Sequence, residues 1–273
     1  NVYRLIGGTF TLITADPQPA VVGETGSAIY SGPTSRWDDA NTFLLIVYGG
    51  FTLSSVTDEE LFAGANAIAV ENADGEWEIL QFRDVTLTAP NTYLCSKLLR
   101  GQLGTETAMR DPVATGARWA MLDRGRMVQL NIANTDRNTA ITFRYGPATA
   151  PYDASSYTEV VMMFEGIGLR PLSPVHLSIT RETDGDLRLE WIRRSRLSPE
   201  AGWDTDEVPI GEESEQYEVE ILDGLGAVVR TVTGLGSPAW LYQVDEQTDD
   251  FGSPQTTVAF RVYQISQAFG RGI

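Results

Sequence analysis

The chain has 273 residues, 42% of them apolar, which is enough for two ordinary domains with packed cores and too apolar for a disordered chain. Its formal charge of −17 is evenly spread: residues 1–168 hold 19 acids and 11 bases (−8), residues 169–273 hold 18 acids and 9 bases (−9). Both parts repel a phosphate backbone and an anionic lipid surface, so nucleic acid is excluded as a general partner. No apolar run approaches the roughly 20 residues that span a bilayer, so no stable membrane insertion is expected.

Strand signals dominate from the start. Residues 9–14 (TFTLIT), 41–49 (NTFLLIVYG), 67–72 (AIAVEN), 76–82 (EWEILQF), 93–99 (YLCSKLL) and 118–123 (RWAMLD) are rich in β-branched, aromatic and apolar residues, with Pro, Gly, Asn and Asp between them. Residues 127–133 (MVQLNIA), 140–146 and 158–166 continue the pattern. A short helix is predicted over 57–65, with Thr57 as cap and Glu60 at the capping-box spacing. A domain boundary is placed near GLRPLSPVH (168–176), where two prolines force extended backbone. Beyond it the alternation is cleaner. Leu187, Leu189 and Trp191 share one strand face, and Trp191 is read as a core anchor. Residues 217–232 read as a hairpin turning at Asp223-Gly224. Six strands are placed after the boundary: 175–181, 187–193, 216–222, 227–232, 239–244 and 256–266. A fibronectin-type sandwich needs seven. The expectation is that the polypeptide continues past Ile273, or that another chain supplies the strand; Asn1 in place of Met fits a piece of a longer protein.

Side chains suited to chemistry are sparse. Cys95 is the single cysteine, which excludes an internal disulfide and a Cys-based metal site, and it reads as a small buried hydrophobe. His176 is the single histidine, and in PVHLSIT it reads as a strand-face residue opposite Val175 and Leu177, with no catalytic role. Lys97 is the one lysine among 20 bases, a bias that a GC-rich genome accounts for. Residues 200–220 hold nine acids and no base, without the ligand spacing of a calcium loop. They read as a solvated acidic loop partly neutralised by Arg193, Arg194 and Arg196. Trp203 and Trp240 lie near loops and are candidates for exposure.

The run CSKLLRGQLGT (95–105) raises the question of a phosphate-binding loop. A P-loop needs Gly-Lys-Ser/Thr opening a helix, whereas here Lys97 precedes the glycines and Thr105-Glu106 follows them. Gly101 and Gly104 therefore read as a turn, with Arg100 and Glu106 able to pin it as an exposed ion pair of small worth, about 0–1 kcal/mol. The same residues carry a resemblance. Leu98-Leu99-Arg100-Gly101, Gly104-Thr105-Glu106 and the strand from Gly116 to Asp123 resemble the C-terminal region of the large tail-tip, or baseplate hub, protein of siphophages and of the phage-like gene transfer agents of alphaproteobacteria. LFAGANAIAV, EWEILQF, LRPLSPVHL, DLRLEWIRRSR, PIGEESEQYEVEILDG and FRVYQISQAFGRG match in the same order, so the resemblance spans about residues 50–273. The family's glycosidase-like barrel would lie upstream of Asn1, and no catalytic residue carries over.

The resulting expectation is an all-β chain: an irregular β-barrel or sandwich domain over 1–168, with two sub-domains conceivable, followed by a fibronectin type III-like sandwich over 169–273. The resemblance implies a structural role in a virion tail tip or baseplate. Its implied partners are other tail-tip proteins, copies of itself around the tail axis, and a host-surface glycan or protein. Two other function classes stand beside it: a carbohydrate-binding receptor module, and a glycan or cell-wall hydrolase, for which no catalytic constellation stands out. No cofactor, metal-ligand or catalytic residue is assigned.

Overall fold

The structure is a computed structural model that describes residues 1–15, 18–123, 125–196 and 208–273. It is mostly β, and its chain divides into two compact units. The first comprises Asn1–Pro33, Trp37–Gln102 and Ala108–Ile167; the second comprises Thr34–Arg36, Leu103–Thr107 and Gly168–Ile273.

The first unit opens with a hairpin, β1 (Val2–Ile6) and β2 (Thr9–Thr14), turning at Gly7-Gly8. Six strands then close a barrel: β3 (Val22–Thr25), β4 (Phe43–Val47), β5 (Ala67–Glu71), β6 (Trp77–Ala89), β7 (Thr92–Leu99) and β8 (Arg118–Met121), in the order β3-β4-β7-β6-β5-β8. Alternation fills it. Phe43, Leu45 and Val47 point inward from β4, Ile68 and Val70 from β5, and Leu80 and Phe82 from β6, with Trp119 among them. Cys95 is fully buried in this core, and burial pushes its thiol pKa well up, so it stays a protonated, unreactive packing group. The helix α1 (Asp58–Phe62) has the capping box read from sequence: Thr57 Oγ1 accepts from the Glu60 amide at 3.2 Å, and the Thr57 amide donates to Glu60 Oε2 at 2.8 Å. The unit finishes with β9 (Ala140–Tyr145) and β10 (Thr158–Met163), which join the first hairpin as a four-stranded sheet in the order β10-β9-β1-β2. Residues 127–133, expected as a strand, form none, because no neighbouring strand pairs with them. The short β1 and β3 were not foreseen.

Among the described residues the second unit is a seven-strand sandwich of the fibronectin type III kind. One sheet runs β11 (Val175–Arg181), β12 (Leu187–Ile192), β15 (Ala239–Tyr242); the other runs β14 (Val228–Leu235), β13 (Tyr217–Leu222), β16 (Ala259–Ser266), β17 (Gly270–Arg271). Leu187, Leu189 and Trp191 of β12 meet Tyr217, Val219, Ile221 and Val262 between the sheets. Trp191 is 3% exposed, with its ring edge-on to Tyr217 at 5.3 Å.

Four expectations for this part are corrected. The sandwich does not lack its last strand: Gly270, at φ 82°, turns the chain back so that Ile265 pairs with Arg271 and Ser266 with Gly270. Arg271 holds that two-residue strand in place, binding Glu218 at 2.8 Å and Glu220 at 2.9 Å and stacking on Tyr263. The strand placed at 239–244 ends at Tyr242, and a helix, α2 (Val244–Phe251), follows it. The hairpin turns with positive φ at Gly226 rather than at Gly224, because Asp223 Oδ1 accepts from the Leu225 and Ala227 amides and lengthens the turn. His176 sits at φ 53° in a bulge between Val175 and Ser178, exposed, so simple alternation fails there.

Candidate interaction surface

The run that raised the question of a ligand loop forms a sharp corner, and Arg100 and Glu106 do not pair with each other. Arg100 is fully buried in the first unit. Its Nε and Nη2 bind both oxygens of Glu78 at 2.8 Å, and its Nη1 donates to the Tyr30 carbonyl at 2.6 Å and lies 3.5 Å from Asp38 Oδ2. Asp38 accepts in addition from the Asn41 amide at 3.1 Å and side chain at 2.9 Å. Gly32 has to be glycine, since a Cβ there would lie 2.1 Å from Asp38 Oδ2. The expected exposed Arg100–Glu106 pair is thus replaced by a buried bidentate one, the arrangement for which arginine's planar fork is suited. Glu106 belongs to the second unit and binds Arg194, which also donates to the Ser173 carbonyl at 2.6 Å. Gly101 and Gly104 take φ of 57° and 80°, as a sharp corner requires.

The arginines beside the acidic stretch and Trp240 are likewise built into the scaffold. Arg193 binds Glu215 at 2.8 Å and Arg196 binds Glu212 at 2.7 Å, so two of the three arginines neutralise the acidic stretch, while Arg194 reaches Glu106 instead. Residues 200–207 of that stretch, Trp203 included, lie outside the described residues. Trp240 stacks on Tyr242 at 5.1 Å and packs against the sandwich core. Among the described residues no group of three or more His, Cys, Asp or Glu side chains is placed to hold a metal ion.

The surface that does stand out is the four-stranded sheet of the first unit. Its register fixes the faces. Tyr3 lies opposite Leu12 and Arg144, Leu5 opposite Phe10, and Arg144 opposite Glu159, so with Val161 and Met163 these line one face. Arg4, Ile6, Phe143, Tyr145, Val160 and Met162 line the other. On the first face Arg144 binds Glu159 at 2.8 Å and covers the Phe10 ring at 4.7 Å, while Tyr152 packs on Tyr3 and Phe10. Tyr157 closes the loop beneath, its hydroxyl donating to the Pro147 carbonyl at 2.8 Å. On the second face Arg4 binds Asp136 at 2.8 Å, a bond that draws the Asp136 carboxyl below its ordinary pKa.

Large apolar side chains remain uncovered on both faces. Val161 is 63% exposed, Met163 57%, Leu12 50% and Leu5 38% on one; Ile6 is 51% exposed and Met162 46% on the other. Single exposed apolar residues are ordinary, but a contiguous set marks a contact surface. Sequence reading missed it because a strand such as 158–163 reads as buried whether its cover comes from its own chain or from another.

Residues 20–120 match the profile of a family described as Rcc01698-like, C-terminal, a name associated with gene transfer agents. No curated protein matches the chain. Among solved structures, a crystal structure of domains A168-A170 from titin aligns at 9% identity over 93% of this chain and 96% of that one, with a TM-score of 0.24, too loose a superposition to bear on fold or function.

Proposed function

We propose that this chain is a non-enzymatic structural component of a phage or phage-like tail tip or baseplate, held there by contacts with neighbouring proteins and contributing to host-surface attachment. The observation that carries this reading is the four-stranded sheet of the first unit, which leaves Leu5, Val161 and Met163 uncovered on one face and Ile6 and Met162 on the other. Apolar side chains left open on a sheet in this way mark a surface that a partner covers. The family profile over residues 20–120 supports the same setting. Localising the chain in purified native particles, by reconstruction and by labelled antibody, tests the reading. Density for both units at the tail tip is the expected result; absence of the chain from intact particles overturns it. A carbohydrate-recognising role is the second reading, favoured by the half-exposed Tyr152 ring beside Tyr3 and Phe10. Glycan-array binding lost in Tyr152→Ala is its test.

A further inference from the structure

Open sheet edges in folded proteins are usually blunted by bulges, charges, prolines or shortness, because a row of free N–H and C=O groups recruits further strands. Among the described residues, the open sheet edges follow that practice with one exception. In the second unit, β11 carries a bulge, β14 shifts register twice against β13, β15 has four residues and β17 two. In the first unit β2 carries an extra residue, Ile13, where Val2 pairs with Thr14 and Tyr3 with Leu12. Strand β10 is six residues long with no bulge and no proline, and its one charge, Glu159, is paired with Arg144 of the neighbouring strand. Its ladder with β9 runs through all six pairs, Thr158 with Tyr145 to Met163 with Ala140, without a shift.

The orientation of its backbone follows from alternation. Asn1 and Gly146 exchange two bonds, at 3.0 and 3.1 Å, so even-numbered residues of β9 face β1 and odd-numbered ones face β10. Their partners Thr158, Val160 and Met162 therefore point their peptide groups at β9. The N–H and C=O groups of Glu159, Val161 and Met163 point out of the sheet. Beside them stand uncovered apolar side chains on both faces, Val161 and Met163 on one, Met162 on the other. The charge on this edge is also spoken for: the Glu159 carboxylate is held by Arg144 at 2.8 Å. In a chain of net charge −17, this stretch offers a neutral, apolar complement.

We infer that β10 is a docking edge for an extended, uncharged apolar segment of a partner protein, which adds a fifth strand beside Glu159–Met163 and covers Val161 and Met163. Backbone pairing supplies affinity and the alternate side chains supply selectivity. This inference rests on the assembly reading above and names the mode of contact.

Amide hydrogen exchange on the free chain and on the chain within purified native particles tests it. The Glu159, Val161 and Met163 amides are expected to exchange rapidly in the free chain and at least 100-fold more slowly in the particle. Val161→Pro removes one outward N–H and leaves the bonds to β9 in place. It is expected to leave the melting temperature within a few degrees and to lower incorporation into particles at least tenfold, whereas Val160→Ala, with its backbone intact, incorporates normally. Three results overturn the inference. Unprotected Glu159–Met163 amides in particles that contain the chain refute the edge and leave the assembly reading standing. Protection that rises with concentration of the free chain makes a second copy the occupant. Protection on neutral phospholipid vesicles makes it a lipid surface. Absence of the chain from particles removes the assembly reading itself.

Discussion

Two strands of similar length, β12 in the second unit and β10 in the first, show how differently apolar residues are used. In β12 the pattern alternates: Leu187, Leu189 and Trp191 are buried between the sheets, and Arg188 and Glu190 face water. In β10 four apolar residues follow one another, Val160 to Met163, and three of them are more than 45% exposed. An alternating strand needs cover on one face and finds it within its own unit. A continuous one needs cover on both, and here the described residues provide only part of it. The lesson is that a strand can be read correctly from sequence while its cover stays unspecified, because composition records the final degree of burial and not which chain supplies it.

The comparison can be broken by mutation. The largest effect is expected at Trp191. Trp191→Ala in the free chain should destabilise the second unit by about 3–5 kcal/mol in urea unfolding, since it opens a cavity against Tyr217. A loss under about 1 kcal/mol would show that the alternating face is not the core. A similar loss, about 3–5 kcal/mol, is expected in the first unit for Arg100→Met, which strands the buried Glu78 and Asp38 carboxylates without a cation. If Glu78→Gln in the same background restores no stability, the network is not the cause.

An intermediate effect concerns acid. Burial pushes the Asp250 carboxyl up, but Arg230 at 2.6 Å and the Tyr242 hydroxyl at 2.5 Å donate to it, and its pKa ends below the ordinary value. A depressed carboxylate stabilises the fold above its unfolded pKa, about 3.9, and that contribution is lost as pH falls through the native pKa. Asp250→Asn should therefore lower stability at neutral pH and flatten the acid limb of the second unit's stability curve below about pH 4. An unchanged acid limb would remove Asp250 from the account. The smallest effect is expected at β10. Val161→Ser should change the stability of the free chain by no more than about 0.5 kcal/mol. A loss as large as that at Trp191 would mean that β10 is already covered within its own unit and would erase the comparison.

How legible each region was follows the same division. Strands with clean alternation or strong turn signals at both ends, such as 9–14, 175–181 and 187–192, were placed to within a residue. The capping box at Thr57 was read correctly because it is a local chemical arrangement. Helix α2 was missed although Gln243 and Glu246 have capping-box spacing and Gly252 closes it at φ 78°; its polar sequence buries only Gln247 and so lacks a helical apolar stripe. The role of Arg100 was misread for a different reason. Its partners lie 22 and 62 positions away, and no local pattern records them. The candidate surface was invisible for the reason that β10 illustrates: exposure is a property of the folded unit, not of a window of sequence.

The composition of the second unit has a consequence for how such a protein can be made and rearranged. The sandwich is not one uninterrupted stretch of gene: Leu103–Thr107 belongs to it, and that stretch supplies Glu106 to Arg194 and places Gly104 against Leu172 and Ile273. During synthesis these five residues leave the ribosome more than sixty residues ahead of the strand that opens the sandwich, and must wait for it. A recombination event or a cloning boundary at residue 168 would transmit a module in which Arg194 lacks its carboxylate partner and a space stands unfilled beside Leu172 and Ile273. Inheritance as a single block, rather than shuffling of the sandwich among unrelated genes, is the outcome this connectivity favours.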